Sequence, residues 1–235
     1  MAGFSRFPAS TLGSFIDSAD PIYGTGMDDT VTLDGSTTIL GMAPSSSVYS
    51  MTRDMFFHNL TINASVRLAP NGYRIFVKNL LTFAGGDATI GFTTGFSTSG
   101  SIMQGGAAAT AVTHSLGGSA TGYTATAPTA ALGGSDYYKI PHQAVRGYAI
   151  TASGGPTFLR GGAGGTAQAG GGVIIIAARY ISGPASGTAY IKAPGTSPAG
   201  GGVILVISNG AALPGSVSTN VTGENAGTYN YMQLV

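Results

Sequence analysis

Residues 169–179 read Ala-Gly-Gly-Gly-Val-Ile-Ile-Ile-Ala-Ala-Arg, and residues 199–208 read Ala-Gly-Gly-Gly-Val-Ile-Leu-Val-Ile-Ser, a displacement of 30. Each copy sets three glycines before a run of aliphatic residues with no polar break. Such a run is far shorter than the ~20 residues of a membrane helix, and β-branched side chains suit a strand. A strand that is apolar at every position must be covered on both faces. At the same displacement Tyr190-Ile191-Lys192-Ala193 falls on Asn220-Val221-Thr222-Gly223. Each unit therefore reads as glycine turn, buried strand, loop with proline, second strand. Stacking each strand on its successor at this repeat length is the pattern of a solenoid. Glycine is favoured where backbones approach closely or φ is positive. Gly170, Gly171, Gly172, Gly200, Gly201 and Gly202 are accordingly expected to be structural. The chain closes on an alternating strand, Tyr229–Val235.

The β pattern extends upstream. Val31 and Leu33 alternate with Thr30 and Thr32, and Leu60, Ile62, Ala64, Val66 and Leu68 share one face at period two. Pro70-Asn71-Gly72 is a turn signal, after which Tyr73, Ile75 and Val77 oppose Arg74, Phe76 and Lys78. Asn-Gly between alternating runs suits a hairpin, and a succession of short strands suits a solenoid; both readings stay open. Residues 1–28, broken by Pro8 and Pro21, read as an extended arm. The expected fold is all-β: β-solenoid-like or β-sandwich-like stacked short strands with glycine-rich loops and an extended N-terminal arm. Four regions are expected: a docking arm (1–28), a β-strand domain (29–84), a glycine-rich, charge-poor segment (85–165) that is exposed or lies between subunits, and repeated β rungs with a C-terminal strand (166–235).

Composition narrows the function. The 235 residues carry 8% charged side chains, a net charge of +1, 39 glycines and no cysteine. A near-neutral chain without a basic stripe lacks the electrostatic footprint of a nucleic-acid binder. Without cysteine there is neither a disulfide framework nor a thiolate metal site. The opening MAGFSRFPAS lacks the continuous apolar run of a secretory signal, so a soluble protein made in a cytosol, without membrane insertion, is expected. Residues 88–135 and 193–223 contain no Asp, Glu, Lys or Arg. Surface charge keeps small domains apart in solution, so these tracts are expected to be buried in an oligomer or to form a neutral contact surface.

Catalytic chemistry finds little to work with. The histidines are His58, His114 and His142, with no spacing that joins them, and Glu224 is the one glutamate. Gly-x-Ser-x-Gly and His-Glu-x-x-His are absent. Gly162-x-Gly164-x-x-Ala167 mimics a dinucleotide fingerprint but leads into a β run, whereas that motif needs a helix N-terminus at the pyrophosphate. Asp28, Asp29 and Asp34 offer hard oxygen ligands without the spacing of a calcium loop, and a solvated turn is the better reading. No catalytic residue, cofactor or metal is expected. Phe4, Phe7, Phe15, Ile16, Ile22 and Tyr23 are too apolar for a free tail and are expected to dock the arm on its own trimer or on a neighbouring protein. Phe92, Phe96, Tyr123, Tyr137, Tyr138 and Tyr148, set among small residues, are candidates for partner contact.

The run Arg53-Asp54-Met55-Phe56-Phe57-His58-Asn59-Leu60-Thr61-Ile62, followed by Asn71-Gly72-Tyr73-Arg74-Ile75-Phe76-Val77 and by the triple-glycine strands, resembles glycine-rich bacteriophage virion structural proteins, including tail fibres. The resemblance covers roughly residues 29–83 and 169–235, and residues 85–165 match in composition alone. It implies a non-enzymatic structural protein on a virion surface, β-rich and assembled as a homotrimer. A fibre or spike touching a host surface glycan or protein ranks first. The alternatives are a capsid decoration (cement) protein clamping shell subunits and, least favoured, a polysaccharide depolymerase. Its partners would be itself and other virion proteins of capsid or tail.

Overall fold

The computed structural model describes residues 22–91, 171–195, 200–223 and 226–234, together with four short strands between 111 and 158. Strands β1 (Thr30–Leu33), β3 (Met55–Ile62), β5 (Ile75–Phe83), β11 (Val173–Ser182), β13 (Val203–Ser208) and β15 (Thr228–Gln233) form a six-stranded sheet in that order. Strands β2 (Val48–Ser50), β4 (Arg67–Ala69), β6 (Thr89–Gly91), β12 (Ala189–Lys192) and β14 (Val217–Asn220) form a five-stranded sheet in chain order. Every pairing in both sheets is parallel. The short strands β7 (Ala111–Thr113), β8 (Ser119–Thr121), β9 (Tyr148–Ile150) and β10 (Pro156–Phe158) make two antiparallel pairs, β7 with β8 and β9 with β10.

Two parallel sheets, neither closed into a barrel, correct the expected fold. The described residues are all-strand, but solenoid-like or sandwich-like stacks of short strands are not what they form. Strands of up to ten residues run in continuous sheets of six and five. The Asn71-Gly72 turn shows why a hairpin fails. Both residues are left-handed, at φ 52° and 80°, yet the turn carries the chain from β4 in one sheet to β5 in the other. The single strand expected over 59–68 is likewise two strands in different sheets. Ser65, at φ 60°, turns the corner between β3 and β4 and leaves Ala64 exposed, while Leu60, Ile62, Val66 and Leu68 are buried. The expected arm falls, up to residue 21, outside the described residues.

The glycine-led repeat stands side by side in register, Val173 opposite Val203 through Ala177 opposite Ile207. The next strands do not keep that displacement. Tyr190 lies opposite Ser218 rather than Asn220, because the first unit runs two residues longer between its strands. The strands β5 and β6 bond directly to β11 and β12, so the stretches 29–84 and 166–235, joined by the first residues of 85–165, contribute to the same two sheets.

The core lies between the sheets. Leu60, Val77, Ile174, Ile176, Ile204 and Val206 of the large sheet pack with Tyr49, Leu68, Ile90, Ile191 and Val217 of the small one. The alternate residues of β11 and β13 form a second apolar cluster on the outer face of the large sheet, so these strands are covered on both sides, as their sequence requires. The strand β5 carries one extra residue: Lys78 and Asn79 stand against His58 alone on one side and Arg179 alone on the other. Asn59 repairs this bulge, its Oδ1 accepting from Asn79 Nδ2 at 2.8 Å and the Leu80 N–H at 3.3 Å.

Candidate functional site

The outer face of the five-stranded sheet is the polar face of the fold. Because side chains alternate along a strand, one row across it reads Val48, Arg67, Thr89, Tyr190, Ser218, each opposite the next. Two residues further along, Lys192 stands between Gly91 and Asn220. Gly91, at φ 127°, has no side chain to offer, and a Cβ there would run into the Lys192 backbone. Lys192 folds back so that its Nζ lies 3.8 Å from the centre of the Tyr190 ring, a cation–π contact.

Two shallow grooves flank this pair. One, of about 220 Å³, is lined by Ser46, Ser47, Ser65, Arg67, Asp87, Thr89 and Lys192; the other, of about 400 Å³, by Tyr190, Lys192, Ser218, Asn220 and Thr222 among others. The rim is stiff. Ser47, Ser65 and Asp87 are all left-handed, and backbone bonds lock their turns to neighbouring ones, from Ser65 N–H to the Gly86 carbonyl at 3.1 Å and from Asp87 N–H to the Thr188 carbonyl at 2.9 Å. At the far edge Asn220 Oδ1 accepts from the Thr222 N–H at 2.9 Å. This surface presents hydroxyls, one amide, two cations and one carboxylate, a hydrogen-bonding face rather than a reaction centre.

Three other carboxylates, those of Asp28, Asp34 and Asp54, are committed to the fold. Asp28 is buried and accepts from the Arg53 guanidinium, at 3.0 Å from Nη1, and from the Phe56 N–H at 2.6 Å. The Arg53 hydrogen bond holds its carboxyl below the ordinary value, against the opposing effect of burial. Asp34 closes a turn, accepting from the Thr37 hydroxyl at 2.7 Å and the Thr37 and Ser36 N–H groups at 2.8 and 2.7 Å, which hold it well below the usual carboxylate range. The buried Tyr49 hydroxyl lies 3.0 Å from the same carboxylate, and burial pushes the phenol up. Asp54 is bound through the Arg74 N–H at 2.8 Å and its Nε at 2.9 Å. Among the described residues no three His, Asp or Glu side chains gather as a metal site.

The residues expected from sequence fall in three groups. Ile22 and Tyr23 are buried on the outer face of the large sheet, and Tyr23 donates its hydroxyl to Asn209 Oδ1. They are therefore built into this fold and not displayed. Gly171, Gly172, Gly200, Gly201 and Gly202 are buried where the chain enters β11 and β13. A Cβ at Gly171 would press on the Ala193 carbonyl and Gly202, one at Gly201 on the Val221 carbonyl and Gly227, and one at Gly202 on the Gly172 carbonyl. Phe4, Phe7, Phe15, Ile16, Phe92, Phe96, Tyr123, Tyr137, Tyr138 and Gly170 lie outside the described residues, as do His114 and His142, while Tyr148 begins β9.

Sequence reasoning missed the Tyr190–Lys192 pair and the Arg67–Asp87 groove. Alternation in Tyr190-Ile191-Lys192 was the available signal, but no local pattern announces that Gly91 lies opposite. Comparison with known protein families, with curated proteins and with solved structures finds no match.

Proposed function

We propose that this chain is a non-enzymatic structural component of a bacteriophage virion surface, a fibre- or spike-type protein whose polar sheet face meets the host. What supports this best is the division of its polar groups. Asp28, Asp34 and Asp54 spend their oxygens on the fold, whereas Tyr190, Lys192 and Ser218 stand in register on the partly exposed outer face of the small sheet, with Arg67 in the same row and Thr89 buried between them. A glycosidase needs two carboxylates flanking one bond, and Asp87 is the single carboxylate lining these grooves among the described residues. Binding surfaces carried on rigid β scaffolds are a common arrangement. The resemblance of residues 53–62 and 71–77 to glycine-rich virion proteins supplies the context. The experiment is gold-labelled antibody against the chain on intact phage particles, with purified chain as a competitor of phage adsorption. Label at the tail with blocked adsorption supports the reading. Label spread over the head turns it to the decoration protein, and no label on the particle overturns both.

A further inference from the structure

The outer face of the six-stranded sheet holds a second apolar cluster. Val173, Ile175, Ala177, Val203, Leu205 and Ile207 point away from the core, yet none is more than 2% exposed. Such burial on the far side of a sheet requires something laid over it. Ile22 and Tyr23 are the described residues upstream of the sheet that join this cluster.

The path of the chain around them has a direction. Asp28 bonds to the backbone of Phe56 in β3. One step back, a Cβ on Gly26 would meet His58 in β3 and Lys78 in β5 at 3.2–3.4 Å. Gly24 lies against the stacked rings of Phe56 and Phe76, whose centres are 4.8 Å apart. Tyr23 then reaches Asn209, just past the end of β13. Read backwards from Asp28, the chain moves off β3, over β5, and toward β13, onto the apolar rows of β11 and β13.

We propose that this face is the dock for the chain's own N-terminal segment, residues 1–21. Six strands at about 4.8 Å spacing span roughly 24 Å, while 21 residues reach up to about 70 Å, so the segment is long enough to cross the sheet. It carries Phe4, Phe7, Leu12, Phe15 and Ile16, large apolar groups suited to aliphatic rows that bear no charge before Arg179. The aromatic residues of the arm then complete this fold instead of reaching a neighbouring particle protein. This holds whatever the chain does on a virion.

The test uses the full chain with a photoreactive benzophenone analogue of phenylalanine at position 15 and, separately, at position 7. Irradiation and peptide mass spectrometry should join these positions to β11 or β13 of the same chain. A cross-link that appears in a covalent dimer assigns the face to a second copy. One that lands within the chain but off β11 and β13 leaves the face to another segment. Either result overturns the proposal. A chain that starts at Ile22 is the second arm. It should bind an apolar-surface dye several-fold more strongly and melt about 10 °C or more lower. Unchanged dye binding and melting would overturn the proposal.

Discussion

Adding one carbon at Gly201 should damage this protein more than its size suggests. The Cβ of Gly201→Ala would meet the Val221 carbonyl oxygen, with the Val221 carbon at 2.8 Å and the Gly227 nitrogen at 2.6 Å. All three are backbone atoms, so no side chain can swing aside. The segments entering β13 and β15 would have to part, weakening the bonds from Gly227 N–H to the Val221 carbonyl at 2.8 Å and from Thr228 N–H to the Gly202 carbonyl at 2.9 Å. Overpacking costs about 1–3 kcal/mol, and each weakened hydrogen bond up to about 0.5–1.5 kcal/mol. Together these give about 2–6 kcal/mol, a fall in thermal midpoint of about 4–24 °C at this chain length. Gly171→Ala should behave alike, since its Cβ would strike the Ala193 carbonyl and the Gly202 backbone. Gly215→Ala is the control, because a Cβ there meets nothing within 4 Å. The assay is thermal unfolding followed by circular dichroism on the three variants. A Gly201→Ala midpoint within about 1 °C of the Gly215→Ala midpoint would refute the reasoning from close backbone approach.

Three further outcomes are expected. The Asp28 carboxyl is held below its ordinary value by Arg53, so its stabilisation is present above the unfolded value of about 3.9 and is lost as pH falls through the lower folded value. Asp28→Asn should therefore lower the melting point at pH 7 and narrow its gap to the parent in acid, as melts from pH 2 to 7 would show. Burial, with Tyr231 nearby, pushes the Tyr229 phenol up to about 12. A folded value above the unfolded one of about 10 means a contribution present below pH 10 and lost as pH rises toward 12. Ultraviolet titration should show a late phenolate step that Tyr229→Phe removes, and a step at the ordinary value would contradict it. Sedimentation at micromolar concentration should find a homotrimer, and a stable monomer would dismiss it.

How much of this was legible depended on whether the cause was local. The apolar run at 173–177 and its copy at 203–207 announced strands covered on both faces, and the glycines before them marked a close approach. Both features are written into consecutive residues. The sheet a strand joins is not. Pro70-Asn71-Gly72 has hairpin chemistry, and only the burial of Leu68 on one sheet and Ile75 on the other makes it a crossing turn. The run from Asn59 to Leu68 keeps an unbroken period of two, which hides the corner at Ser65. The polar face needed partners distant in sequence: Thr89 meets Tyr190, and Gly91 meets Lys192, across about a hundred residues. Gly227 was passed over because a lone glycine carries no pattern, although it stands beside Gly202 and its Cβ would collide with the Gly202 carbonyl.

The uncharged tract 193–223 was expected to be buried in an oligomer or to form a neutral contact surface, and for its central strand the fold supplies an explanation within one chain. Every residue of β13 is buried within a single chain, half of its side chains toward the core and half toward the outer cluster. A charge at any of these positions would be buried without a partner, at a cost of several kcal/mol. Within β13 the scarcity of charge follows from a sheet covered on both sides. What favours self-association is geometry at the edges. Strands β1 and β15 border the large sheet, and β2 and β14 the small one, each with one row of ladder groups unused by its own sheet. Edges of this kind invite pairing unless blunted by charge or bulges. Among β1, β2, β14 and β15 no strand residue is charged. If the trimer forms through these edges, placing lysine at Thr30 and Asn230 should dissociate it. If the uncharged tract were the interface, the same two lysines would leave the trimer intact.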